Sequence, residues 1–258
     1  MECIKLNLIR PRQQIPGQDA AFSSVALCKG GVSEVPNQKV PLEYEDILNF
    51  KPQGDGCRRR VLIEGIPGCG KTTLIKRMCR DWAIGSFAKD SKAMIQVVLR
   101  GLPKRDDLTI EDMVFTSIRD KGEAADIAQC VRDCQGDGVV FVLDGFDEIS
   151  EEMRQSSIVR DILEGRLTPK ASFIITSRPI SAQSLHQLVD RRIEVTGFGE
   201  PEIERLVTDY FATTDVEVGK KLLSTLASRP TIKSLCYVPL QLLMVCFTAS
   251  HGKDLPRT

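Results

Sequence analysis

The sequence predicts an α/β fold in three layers, a mostly parallel sheet covered on both faces, followed by a stretch that is wholly helical. Three observations lead there. From Arg60 onward short apolar runs alternate with amphipathic segments. The runs VLIE, VVFVLD and ASFIITS are apolar along nearly their whole length, as strands buried on both faces are. After Gly197 the strand pattern stops and only helical spacing continues.

In chain order, residues 1–56 form an N-terminal extension rich in Pro, Gly, Gln and Ser, in which only EYEDILNF (43–50) reads as a short helix. The α/β part is predicted over 57–197. VLIE (61–64) is its first strand and LIKRMCRDWA (74–83) has helical spacing. AMIQVVL (93–99) is a second strand, followed by helices over IEDMVFTSIRD (110–120) and AADIAQCVRDC (124–134). VVFVLD (139–144), the helix MRQSSIVRDILEG (153–165), ASFIITS (171–177) and RRIEV (191–195) complete the alternation. Residues 198–258 are predicted to be the helical domain, or part of one: PEIERLVTDYF, GKKLLSTLAS and PLQLLMVCFTAS. No repeat of 20–50 residues is visible, which excludes a solenoid.

Composition narrows the function. A chain of 258 residues with 42% hydrophobic content can bury a substantial core. Thirty-five basic and 35 acidic residues cancel, so no global field draws nucleic acid or an anionic membrane. The longest apolar stretch, VPLQLLMVCF, is well below the roughly 18 residues of a membrane span. No signal peptide is visible, and nine cysteines, an odd count in a large chain, read as reduced thiols; the expected location is cytoplasmic. Cys130 and Cys134 share a helical face, but His186 and His251 lie far off in sequence, so no zinc site is predicted. The basic triplet in CRRRV (57–61) reads as a solvated strand edge and not a nucleic-acid contact.

Three motifs carry chemistry. In GIPGCGKTTL, Gly65, Gly70, Lys71 and Thr72 satisfy G-x-x-x-x-G-K-[ST] between a buried strand and a helix. The glycines let backbone N–H groups wrap a phosphate at a helix N-terminus, Lys71 faces the β- and γ-phosphates, and the Thr72 hydroxyl faces Mg2+. In VVFVLDGFDE, Asp144 ends a strand beside that loop as a second magnesium-associated group. Asp147 and Glu148 follow on the turn, and either is placed to orient or deprotonate a water. In FIITSRP, Arg178 lies just past a strand end and is expected to sense the γ-phosphate, the strand fitting between the other two. Pro239 opens the helix PLQLLMVC and is a candidate to press its ring on a base. This combination is that of a P-loop NTPase of the additional-strand class binding a nucleotide and Mg2+.

The order GIPGCGKTTL, RDWAIG, VVFVLDGFDE, FIITSRP, EVTGFGEPEIERLVTDYF, LCYVPLQLLMVC resembles the NACHT ATPases of the NOD-like receptors over about residues 55–250, most specifically in its Asp-Gly-Phe-Asp-Glu run. The resemblance implies a signal-transducing P-loop ATPase in which ADP holds a closed monomer and ATP favours self-association. It implies that Gly65, Ile66, Pro67, Gly68, Cys69, Gly70, Lys71, Thr72 and Thr73 form the phosphate loop. Asp144 and Glu148 are then the acidic motif, Arg178 the first sensor and Pro239 the adenine contact. Family members usually add an effector domain, a winged helix whose histidine touches ADP, and leucine-rich repeats; this chain stops at Thr258, inside or just after the first helical domain. A truncated product or a minimal NACHT protein is therefore expected, with readily exchanged ADP. The leading expectation is an ATP/ADP switch in innate immune signalling with slow Mg-dependent hydrolysis and an unnamed signalling partner. The alternatives are an active ATPase motor acting on nucleic acid or protein, and a nucleotide-binding fragment without activity of its own.

Overall fold

Seven strands hydrogen-bond into one sheet in the order β2-β1-β7-β3-β6-β5-β4. They are β1 (Leu27–Gly30), β2 (Val40–Pro41), β3 (Arg60–Glu64), β4 (Ala93–Val98), β5 (Val139–Asp144), β6 (Ser172–Ser177) and β7 (Arg191–Val195). The computed structural model describes residues 27–30, 40–52, 58–105, 107–155, 161 and 163–252.

From β7 to β4 the pairings are parallel. Every residue of β5 and β6 is buried, the pattern of strands covered on both faces, and it explains why these runs lack the alternation of a half-exposed sheet. The sixth strand is inserted between the first and third of the parallel set: Glu64 of β3 faces Ser177 of β6, and Ile175 of β6 faces Leu143 of β5. That is the additional-strand arrangement, and it brings the carboxyl ends of β3, β5 and β6 side by side.

Two of the helices over this sheet begin at side-chain caps. The first in chain order, α1 (Lys71–Ala83), follows the glycine loop after β3 and buries Leu74, Ile75, Met78 and Cys79. The next, α2 (Ile110–Phe115), is opened by a capping box between Thr109 and Asp112. It is shorter than the helix expected over 110–120. Thr116 donates to the Met113 carbonyl at 2.8 Å and accepts from the β4 Val98 N–H at 2.9 Å, tying the chain to the sheet instead of the next helical turn. Asp120 then caps α3 (Lys121–Asp133). Of the helix expected over 153–165, α4 (Glu151–Gln155) is described, and 156–160 and 162 lie outside the described residues. A four-residue helix, α5 (Pro179–Ala182), follows β6. Phe141 and Phe173 stack at 5.6 Å in the core of this α/β unit, among Leu62, Val97, Leu143 and Ile175.

The segment before residue 57 differs from the expectation. It contributes the antiparallel pair β1–β2, and EYEDILNF forms only a 3-10 turn, Tyr44–Asp46. Tertiary anchoring overrides helix formation there: the Tyr44 ring packs 5.0 Å from Phe87 with the Arg77 guanidinium 4.4 Å above it, and Ile47 is fully buried.

Residues cluster into two compact units, one holding Cys28–Gly65 and Thr72–Glu194, the other Ile66–Lys71 and the chain from Val195 onward. The second unit is helical: α6 (Glu200–Phe211), α7 (Val216–Ser228), α8 (Pro230–Cys236) and α9 (Pro239–Ser250). Its core gathers Ile203, Val207, Phe211, Leu222, Leu226, Ile232, Cys236, Leu242 and Cys246. The Glu202 carboxylate accepts from the Gly199 N–H at 2.8 Å, and Asp215 caps α7 by accepting from Glu217 and Val218. Helix α8, opened by Pro230 at its first position, was not among the predicted helices.

Candidate functional site

In the α/β unit, the carboxyl ends of β3, β5 and β6 carry a connected polar network. Gly65 N–H donates to the Ser177 carbonyl at 3.3 Å, joining the start of the glycine loop to the end of β6. At the end of β5, Asp144 is buried and its Oδ1 accepts two hydroxyls: Thr176 at 2.8 Å and Thr72 at 3.3 Å. Thr176 in turn accepts from the Gly145 N–H at 2.9 Å. One buried threonine therefore fixes both the carboxylate and the turn after it. That turn needs a left-handed residue: Gly145 has φ 85°, and a Cβ there would lie 3.1 Å from the Glu148 carboxyl carbon.

The two carboxylates beyond the turn have different surroundings. Asp147 accepts from the Arg178 backbone N–H at 3.1 Å on Oδ1, and its Oδ2 lies 2.7 Å from Arg178 Nε. Glu148 is more exposed and faces Arg100, just after β4, at 3.4 Å. At the end of β3, Glu64 is buried between Arg192, which donates twice to Oε2 at 3.1 Å, and His186, whose Nε2 is 3.1 Å from Oε1. Beneath the network, burial and then the nearby Asp144 charge push the Cys79 thiol up to about 12.

The loop between Gly65 and Thr72 belongs to the second unit. Gly68 and Gly70 have φ 75° and 105°, the left-handed region that lets consecutive N–H groups converge. Lys71 Nζ donates to the Ile66 carbonyl at 3.2 Å, Cys69 is fully buried, and Ile66 is exposed. Within this unit the Leu240 N–H donates to the Gly68 carbonyl at 3.3 Å, and a Cβ on Gly68 would sit 2.9 Å from that of Leu240. Pro239 is buried, and a Cβ on Gly197 would lie 4.0 Å from its Cδ.

In the α/β unit Thr72 is thus hydrogen-bonded to Asp144, Asp147 is paired with Arg178, and Gly65 is joined to β6; Ile66, Gly68, Lys71 and Pro239 are placed in the helical unit. Sequence reading overlooked Thr176, Arg100 and Glu64. A hydroxyl residue inside an otherwise apolar strand, directly before the Ser-Arg-Pro turn, is the one local signal available for Thr176.

The family model for the NACHT domain matches residues 59–214, well over half of the chain. The chain belongs to the NACHT family. It is 24% identical over 273 residues to human "NACHT, LRR and PYD domains-containing protein 3", with 96% of this chain and 25% of the relative covered. It is 28% identical over 222 residues to the mouse protein 10 of the same name, with 83% and 31% covered. The NACHT chain therefore spans between a quarter and a third of those two relatives. A solved structure titled "Structure of Drosophila ORC bound to DNA" superposes with a TM-score of 0.52 at 15% identity, covering 95% of this chain and 64% of that one, a likeness of fold.

Other groups singled out in the sequence have structural partners. The Arg58 guanidinium caps the carbonyls of Leu163 and Glu164, Arg59 donates to the Phe50 carbonyl at 3.0 Å, and Arg60 holds Asp190 through its backbone and side chain. No group of three or more metal-ligating side chains occurs among the described residues, Cys130 and Cys134 included. Among the same residues no helix is long and apolar enough to cross a membrane.

Proposed function

We propose that this NACHT chain is a nucleotide-dependent signalling switch that binds ATP and ADP with Mg2+ and hydrolyses ATP slowly, residues 57–197 forming the nucleotide-binding domain and 198–258 helical-domain sequence. The observation that carries this reading is the Thr72–Asp144 contact, which joins the phosphate-loop helix to the end of the acidic strand. A hydroxyl and a carboxylate are the hard oxygen donors that suit magnesium, so the residues present fit the ion. Bound there, Mg2+ would neutralise developing charge on the β- and γ-phosphates.

Gly65 to Thr73 then wrap the phosphates with backbone N–H groups, Lys71 supplies a cation, Thr72 and Asp144 hold the metal, and Arg178 reads the γ-phosphate. Glu148 and Asp147 are the carboxylates available to orient or deprotonate water, and Pro239 is assigned to the base. We assign no nucleic-acid partner, because the arginines of the basic triplet hold the chain's own carbonyls and Asp190. Self-association, a signalling partner and a cytoplasmic location belong to the same proposal, by likeness to the receptors.

Turnover tests it. A switch should hydrolyse little more than one ATP per chain each minute, and Glu148→Gln should slow even that. Rapid turnover stimulated by DNA or by a protein substrate would instead favour the motor reading.

A further inference from the structure

The acidic motif presents two carboxylates to one edge of the sheet, and they are held differently. Both oxygens of Asp147 are engaged by one residue, Oδ1 by the Arg178 backbone N–H and Oδ2 by its side-chain Nε. Each oxygen already accepts from Arg178, and the carboxylate has little exposed surface left. Exposure is unequal within the pair: the Asp147 side chain is 8% exposed and that of Arg178 is 54%. The anion is fixed in the fold and the cation lies in solvent, on the first residue past β6. Glu148, 42% exposed and 3.4 Å from Arg100, has the looser partner and the more accessible oxygens.

We propose that Asp147 is an internal counter-anion for Arg178. It holds the guanidinium when no third phosphate is bound and yields it when one is, so the pair sets the preference for nucleoside triphosphate over diphosphate. This rests on the proposed phosphate-loop reading. A carboxylate and a γ-phosphate are alternative partners for one guanidinium, so every triphosphate that recruits Arg178 must first displace Asp147. A diphosphate does not reach Arg178 and leaves the pair intact. Differential interaction with two states of one residue is what lets a ligand shift between them. Asp147 is thereby a positioning residue, and the water-directed role falls to Glu148.

The test is calorimetry with AMP-PNP and with ADP, each with magnesium, on the wild-type chain, Asp147→Asn, Arg178→Ala and the double variant. Asparagine keeps an oxygen for the Arg178 N–H and removes the charge. Asp147→Asn should tighten AMP-PNP relative to ADP by roughly threefold or more, the scale of a partly exposed ion pair. The gain should vanish in the Arg178→Ala background. An unchanged ratio, or a gain that persists without Arg178, overturns the proposal. The wild-type chain gives an independent readout: the Arg178 Nε–H signal, assigned by its loss in Arg178→Lys, should move with AMP-PNP and stay with ADP. A signal indifferent to both while both bind overturns the proposal too. Wild-type chain that binds neither nucleotide overturns the phosphate-loop reading and the latch with it; normal binding with an unmoved ratio overturns the latch alone.

Discussion

The two ends of the same parallel strands use arginine in opposite ways. At the amino end, Arg58 caps the Leu163 and Glu164 carbonyls and lies 5.5 Å over the Phe173 ring. Gly165, at φ 77°, lacks the Cβ that would collide with that guanidinium. Arg60 donates from its backbone, Nε and Nη2 to Asp190, whose side chain is 1% exposed. At the carboxyl end, Arg178 and Arg100 are largely in solvent and face carboxylates on loops. Arginines that satisfy backbone carbonyls or a buried carboxylate are fixed by the fold, because releasing them would strand buried acceptors. Arginines whose guanidinium itself lies in solvent, as those of Arg178 and Arg100 do, can be reached by a ligand that competes with the carboxylate they hold. A run of three basic residues is thus scaffold, and one isolated arginine past a strand end is the group free to meet a ligand.

Substitutions at both ends sharpen this contrast. Asp190→Ala should cost the most stability, about 3 kcal/mol, because it leaves Arg60 and its backbone N–H without their buried acceptor. Urea unfolding measures it, and a loss below about 1 kcal/mol would show the amino-end pairs to be as exchangeable as the others. Thr176→Val should cost about 2 kcal/mol by leaving the Gly145 N–H and the Asp144 carboxylate each short of a partner. It should also weaken the magnesium dependence of nucleotide binding, which a merely stabilising residue would not do.

Arg178→Ala should cost about 1 kcal/mol of unfolding stability, because the mostly buried Asp147 loses the guanidinium and keeps the backbone N–H of position 178, while lowering discrimination between ATP and ADP. The smallest effect concerns Cys79. Its folded pKa of about 12 lies above the ordinary 9.0, so the folded chain holds a proton that the unfolded chain releases. That contribution to stability is complete below pH about 9 and is lost as pH rises toward about 12. Asp144→Asn should flatten the slope by removing the second cause of the shift, as pH-dependent unfolding would record.

Much of the fold was legible because β5 and β6 are buried along their whole length and therefore read as unbroken apolar runs. The place of β6 between β3 and β5 agrees with the expectation for the strand that ends in Ser-Arg-Pro. The pair β1–β2 was not legible, because LCKG and VP are too short for any period. The end of α2 was missed because the Thr116 hydroxyl bonds Val98, a residue 18 positions away. In the site, motif residues stood out by spacing, whereas Thr176 reads as an ordinary strand threonine until its hydroxyl is seen on Asp144. The structural duty of Arg58 depends on carbonyls more than 100 residues away, which no local pattern records.

On the proposed reading, the loop from Gly65 to Thr73 binds the phosphates of a nucleotide. Titration of a fluorescent ADP analogue with magnesium into the wild-type chain and Lys71→Ala, with circular dichroism on both, tests it most directly. Saturable binding by the wild type is expected, with its loss in a variant of unchanged secondary structure, since the cation facing two phosphates is gone. Equal affinity of the two chains would contradict it.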